Sequence, residues 1–71
     1  MIIAECKNYA PEHLHRITEK MVKEFADKAR RLRKERFPKK TLRLAFFSKH
    51  GFEEKLKPAL ERHGIFFGKR T

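Results

Sequence analysis

Apolar and polar residues alternate with different periods along the chain, and the periods mark out its elements. The first stretch is Met1-Ile2-Ile3-Ala4-Glu5-Cys6-Lys7-Asn8, an apolar run that ends in Glu-x-Lys. Read as a strand, it sends Glu5 and Lys7 to one face and Ala4 and Cys6 to the other. From Pro11 to Glu35 the period changes. Leu14, Ile17, Met21, Phe25, Ala29 and Leu32 recur at spacings of 3, 4, 4, 4 and 3, with Val22 and Ala26 widening the stripe. That spacing predicts one continuous helix, opened by Pro11, whose missing N–H costs nothing in a first turn. At 1.5 Å per residue its roughly 25 residues make a rod of about 38 Å, long enough for its C-terminal end to overhang a small domain.

Phe37-Pro38 closes this helix, because a residue before proline avoids the α region. Thr41 to Ser48 then reads as a strand, with Leu42, Leu44 and Phe46 on one face and Ala45 and Phe47 on the other. Both faces are mostly apolar, which predicts a central strand covered by helices. Ser48 to Gly51 is a turn. Glu53 to His63 reads as a second helix with Phe52, Leu56, Ala59 and Leu60 on one side. Pro58 leaves two options: a kink, or a first turn followed by a helix starting near Lys57. Gly64 suits the position after a helix end. Ile65-Phe66-Phe67 is a third apolar run with the makings of a short strand, and Gly68 to Thr71 reads as a frayed tail. Phe46, Phe47, Phe66 and Phe67 are read as core residues ahead of base-stacking ones.

The order is β-α-β-α-(β), an α/β class with a small parallel sheet and a right-handed crossover. The 71 residues make a single small domain, 1–71. A domain of this size buries only about 60% of its unfolded surface and is marginal alone. A homo-oligomer is therefore expected, with sheet completion across subunits because the first strand would otherwise expose an edge.

Charge adds a partner. Nineteen Lys and Arg against nine Asp and Glu give a formal charge of +10, more than solubility needs, which points to an anionic partner and most simply to nucleic acid. Eight cations lie within the thirteen residues from Lys28 to Lys40. Two or three would serve the dipole of the helix end; the rest point to phosphate contacts. The candidates are Arg30, Arg31, Arg33, Lys34, Arg36, Lys39 and Lys40, with DNA expected before RNA. No apolar run spans a membrane, no basic-then-apolar leader opens the sequence, and the lone Cys6 forms no internal disulfide. Together these features imply a cytoplasmic protein with no membrane partner. Zinc on Cys6, His13 and His15 is disfavoured, because two His at i and i+2 on a helix face different ways. Neither a Gly-rich phosphate loop nor a Ser/His/Asp arrangement is present.

Charges at a strand end are often only where the chain meets water, and Glu-x-Lys is a common tripeptide. A carboxylate and an ammonium side by side at the carboxyl end of a buried strand also fit metal-assisted phosphodiester cleavage. Glu5 would hold Mg²⁺, and Lys7 would orient the attacking water and steady developing phosphate charge.

With Glu5-Cys6-Lys7 on a strand, a long helix next, and Ser48-Lys49-His50-Gly51-Phe52 leading into a second helix, residues 2–66 resemble the second half of the PD-(D/E)xK nuclease superfamily. This is the restriction-endonuclease-like fold; Mrr-type restriction domains and the nuclease-like C-terminal domains of archaeal ATPases are the most similar. The resemblance implies a partial nuclease core with Glu5 as metal ligand and Lys7 as catalytic lysine. It also implies a further polar residue on the helix after the lysine strand, for which His13, His15, Arg16, Glu19 and Lys20 are candidates. The family's first half, with its acidic "PD" residue, is not in this chain. The expectation is a nuclease-related nucleic-acid-binding domain, with Mg²⁺-dependent cleavage if another chain or segment completes it. A non-catalytic oligomerisation or partner-docking module is the alternative.

Overall fold

The computed structural model describes residues 1–69. Five elements follow one another: β1 (Ile2–Lys7), α1 (Glu19–Arg36), β2 (Arg43–Ser48), α2 (Lys57–Arg62) and β3 (Ile65–Lys69). The strands form one sheet in the order β1-β2-β3, and both pairings are parallel. The expected α/β class with a small parallel sheet is what the chain forms. β2 is central. Its register sets Glu5 against Phe46 and Lys7 against Ser48, and Phe46 against Phe67 and Ser48 against Lys69. Two backbone bonds extend the β1–β2 pairing past the strand ends, Arg43 N–H to the Met1 carbonyl at 2.9 Å and Lys49 N–H to the Lys7 carbonyl at 3.1 Å.

The single helix expected from Pro11 to Glu35 is two pieces. Pro11–Arg16 is a 3₁₀ helix, and α1 starts only at Glu19. The break has a local cause. Thr18 takes extended backbone angles, and its hydroxyl accepts the Met21 N–H at 3.2 Å, capping α1. A threonine that satisfies a free N–H in this way favours a helix start over a helix interior. Ile17, also extended, turns its side chain fully into the core. The break resets the helical phase, so Leu14 and Ile17 do not predict which way the later residues face. The buried line of α1 is Val22, Ala26 and Ala29, while Leu32 is exposed and Met21 and Phe25 are only partly covered.

Pro58 resolves in favour of the second option: a 3₁₀ turn at Glu54–Leu56 passes into α2 at Lys57. Gly64 follows the end of α2, and its φ of +68° is the left-handed geometry that glycine supplies without strain. Strand β3 runs on through Gly68 and Lys69, because both pair with β2; of the expected frayed tail, residues 70 and 71 lie outside the described residues.

Both helices cover the same face of the sheet. The core there is Ile17, Val22, Ala26, Ala29, Leu44, Phe46, Leu56, Ala59, Leu60 and Ile65. Through it runs an edge-to-face series of rings, Phe25 to Phe46 to Phe52 to Phe67, with centroids 5.5, 5.6 and 5.8 Å apart. Such contacts contribute about 0.5–1.5 kcal/mol each beyond area burial. Gly51, at φ +85°, lets the chain after β2 turn back so that Phe52 can join the series.

The opposite face contradicts the expectation of helices on both sides. Ile2, Ala4 and Cys6 of β1, Ala45 and Phe47 of β2, and Phe66 of β3 all lie there, and no described element covers them. Ile2 is 70% exposed and Phe66 69%. Phe66 therefore leaves the core list, and Phe47, half-buried, packs against Phe66 at 6.2 Å.

The cap at Thr18 is separable from the core. Thr18→Ala is expected to lower stability by about 1 kcal/mol, read as a lower urea midpoint with unchanged slope, while Thr18→Ser holds the wild-type midpoint.

Candidate functional site

Glu5 and Lys7 do share a face. Lys7 Nζ lies 3.3 Å from Glu5 Oε1, with the two side chains 30% and 39% exposed. They sit on the helix-facing side of β1, in phase with Ile3. β1 is an edge strand, so its last residues are only half covered. Both occupy the carboxyl end of a parallel strand, the rim where open α/β sheets place their ligands.

The pair opens onto a cleft of about 500 Å³ between β1 and α1. Its helix wall is Met21, Glu24, Phe25, Asp27, Lys28 and Arg31, with Phe46 as the floor. Glu24, Lys28 and Arg31 follow at i, i+4 and i+7 and so share one flank of α1. That spacing is present in the sequence, but reading Lys28 and Arg31 as part of the basic run leaves Glu24 unjoined to them. None of His13, His15, Arg16, Glu19 or Lys20 lines this cleft. The first three belong to the 3₁₀ helix, Glu19 accepts a 2.6 Å bond from Arg62, and Lys20 pairs loosely with Glu24 at 3.9 Å.

The cleft holds three carboxylates, Glu5, Glu24 and Asp27, and three cations, Lys7, Lys28 and Arg31, so its formal charges balance. No three His, Cys, Asp or Glu side chains stand close enough together to hold one metal ion among the described residues. Glu5 alone would give Mg²⁺ one or two oxygens, and the remaining ligands would have to be water and substrate phosphate, a common arrangement for this ion.

Ser48 ends β2 beside Lys7. Its side chain is fully buried, and its hydroxyl has no hydrogen-bond partner among the described residues.

The basic run divides three ways. Arg31 faces the Glu5–Lys7 cleft. Arg30, Arg33, Lys39 and Lys40 line a second concavity at the other edge of the sheet. Lys34 and Arg36 lie exposed on neither.

Comparison with family models, with curated proteins and with solved structures returns no match for this chain. No helix among the described residues is long and apolar enough to cross a membrane.

A half-exposed ion pair is screened by water and adds little to stability. Glu5→Gln is expected to change the unfolding free energy by less than about 1 kcal/mol; a much larger loss in urea denaturation would make the pair a structural element.

Proposed function

We propose that this chain is a nuclease-related nucleic-acid-binding domain, with Mg²⁺-dependent phosphodiester cleavage available when another chain or segment supplies further ligands. One observation carries the reading: Glu5 and Lys7 project together from the carboxyl rim of a parallel sheet into a cleft that a basic helix walls. Charges placed there meet an incoming phosphodiester from the side on which α/β sheets bind ligands. Lys7 would steady charge developing on the phosphate, and Arg31 with Lys28 would hold the backbone on the helix side. Glu5 is the carboxylate that would carry Mg²⁺, whose chemistry there is to activate water and neutralise phosphate oxygens. DNA is the partner tested first.

The expected outcome is salt-sensitive binding to duplex DNA, with Mg²⁺-dependent nicking of a supercoiled plasmid only where another chain or segment completes the site, and that nicking abolished in Lys7→Ala while binding persists within a few-fold. Nicking that survives the substitution removes Lys7 from the mechanism. Binding without nicking in any divalent metal leaves the domain a non-catalytic binder.

The uncovered sheet face favours a second reading, an oligomerisation module. Parallel sheets are normally buried on both sides, and Ile2, Phe47 and Phe66 offer an apolar surface to a second copy of the chain. A homo-oligomer formed this way should dissociate in Phe66→Glu, seen as a fall in mass by sedimentation equilibrium. A wild-type chain that stays monomeric at high concentration contradicts it.

A further inference from the structure

The concavity at the amino edge of the sheet is unlike the Glu5–Lys7 cleft. It has a volume of about 570 Å³ and is lined chiefly by Arg30, Arg33, Lys39, Lys40, Thr41 and His63. No carboxylate lines it, and none of its four permanent cations is in an ion pair among the described residues.

Three segments build it. α1 ends at Arg36, the chain turns through Pro38 to Lys40 with Lys40 N–H on the Phe37 carbonyl at 3.0 Å, and the α2–β3 junction closes the third side at His63 and Gly64. The two arginines differ in how firmly they are tied. Arg30 Nη2 donates to the His63 carbonyl at 2.8 Å, and Arg33 Nη1 makes a longer bond of 3.4 Å to the Pro38 carbonyl. Each guanidinium keeps further N–H donors for a ligand.

Helix dipoles do not account for this charge. Both α1 and α2 end at this edge, and each helix end is worth about half a negative charge. That is roughly one charge in all, against four cations. The surplus sits in a concave, acid-free site that holds two guanidinium forks, the chemistry that recognises a phosphate group.

We infer that this concavity is a phosphate-binding site, and that its phosphate is one of the nucleic-acid backbone. The second clause rests on the proposed function; the first does not. The site anchors and the Glu5–Lys7 cleft acts elsewhere. From Leu42 to Ser48 the sheet rises about 20 Å, which is about six steps of a duplex at 3.4 Å each. A phosphate seated at the amino edge thus leaves a different part of the same backbone near Lys7.

Two pairs of substitutions, each removing two cations from the basic run, separate a site from diffuse charge. In fluorescence anisotropy with a labelled duplex, Lys39→Ala with Lys40→Ala should weaken binding at least about 10-fold and reduce the slope of log affinity against log salt by about two. Lys34→Ala with Arg36→Ala should weaken it less than about 3-fold. Equal losses overturn the inference. Circular dichroism checks that both variants are folded, and wild-type amide spectra give an arm that needs no variant. Titrated inorganic phosphate should shift the Lys39, Lys40, Thr41 and Gly64 amides first. Shifts spread along the whole basic run, or centred on Lys7 and Lys28, overturn it. Localised phosphate shifts in a wild-type chain that binds no DNA uphold the pocket with free phosphate as its source, and remove the nucleic-acid reading alone.

Discussion

The parallel pairing of β1 with β2 is the constraint on which the rest depends. It joins residues about forty positions apart in sequence, and its register fixes which side chains of β1 see the helices. Because side chains alternate along a strand, a slip of one residue would turn Glu5 and Lys7 to the bare face and bring Ala4 and Cys6 under α1. The observed register sets Ile3 beside Leu44 and Glu5 beside Phe46. That choice sets Ile3, Glu5 and Lys7 on the helix-facing side of the edge strand, each half covered, with the two charged residues opening onto the cleft walled by α1. The site geometry is thus a consequence of strand register, not of any contact between the two charges, whose pairing is half-exposed and weak.

A sheet covered on one side only is the second feature of the molecule. Helix-side packing closes around four phenylalanine rings. The reverse side carries Ile2, Phe47 and Phe66 with small residues between them, a composition suited to contact and not to water. In so short a chain the covered face supplies nearly all of the core, and covering the bare one would add apolar burial that the monomer lacks. The charge distribution is equally lopsided. The cleft at the carboxyl rim is balanced, whereas the concavity at the amino edge carries four cations and no acid. Attraction for an anion and the Glu5–Lys7 pair therefore occupy opposite ends of the same sheet.

Much of this was legible in the residues. Ile2 to Lys7 and Thr41 to Ser48 carry strand patterns strong enough to give β1, β2 (which starts at Arg43), the parallel order and the shared face of Glu5 and Lys7. Pro38 and Gly64 mark helix ends for steric reasons that tertiary contacts seldom override. The apolar spacing concealed the break at Thr18, because Leu14 and Ile17 happen to continue the stripe of α1 while belonging to another segment. One hydroxyl acting as a cap ends that continuity at Thr18, so His13, His15 and Arg16 belong to a separate 3₁₀ segment, while Glu24, Lys28 and Arg31 share the flank of α1 that lines the cleft. Phe66 could not be assigned from its own neighbours, since an apolar residue on a strand reads the same whether its face is covered or bare. The division of the basic run between two edges needed the fold, because it depends on where the turn after α1 meets the end of α2.

The central claim is the register, and backbone proton contacts in a solution NMR spectrum of the full chain test it most directly. The account predicts contacts between parallel β1 and β2 that pair Glu5 with Phe46 and Lys7 with Ser48. Contacts that instead pair Glu5 with Ala45 or Phe47 would turn the acid and the lysine to the opposite side of the sheet and contradict it.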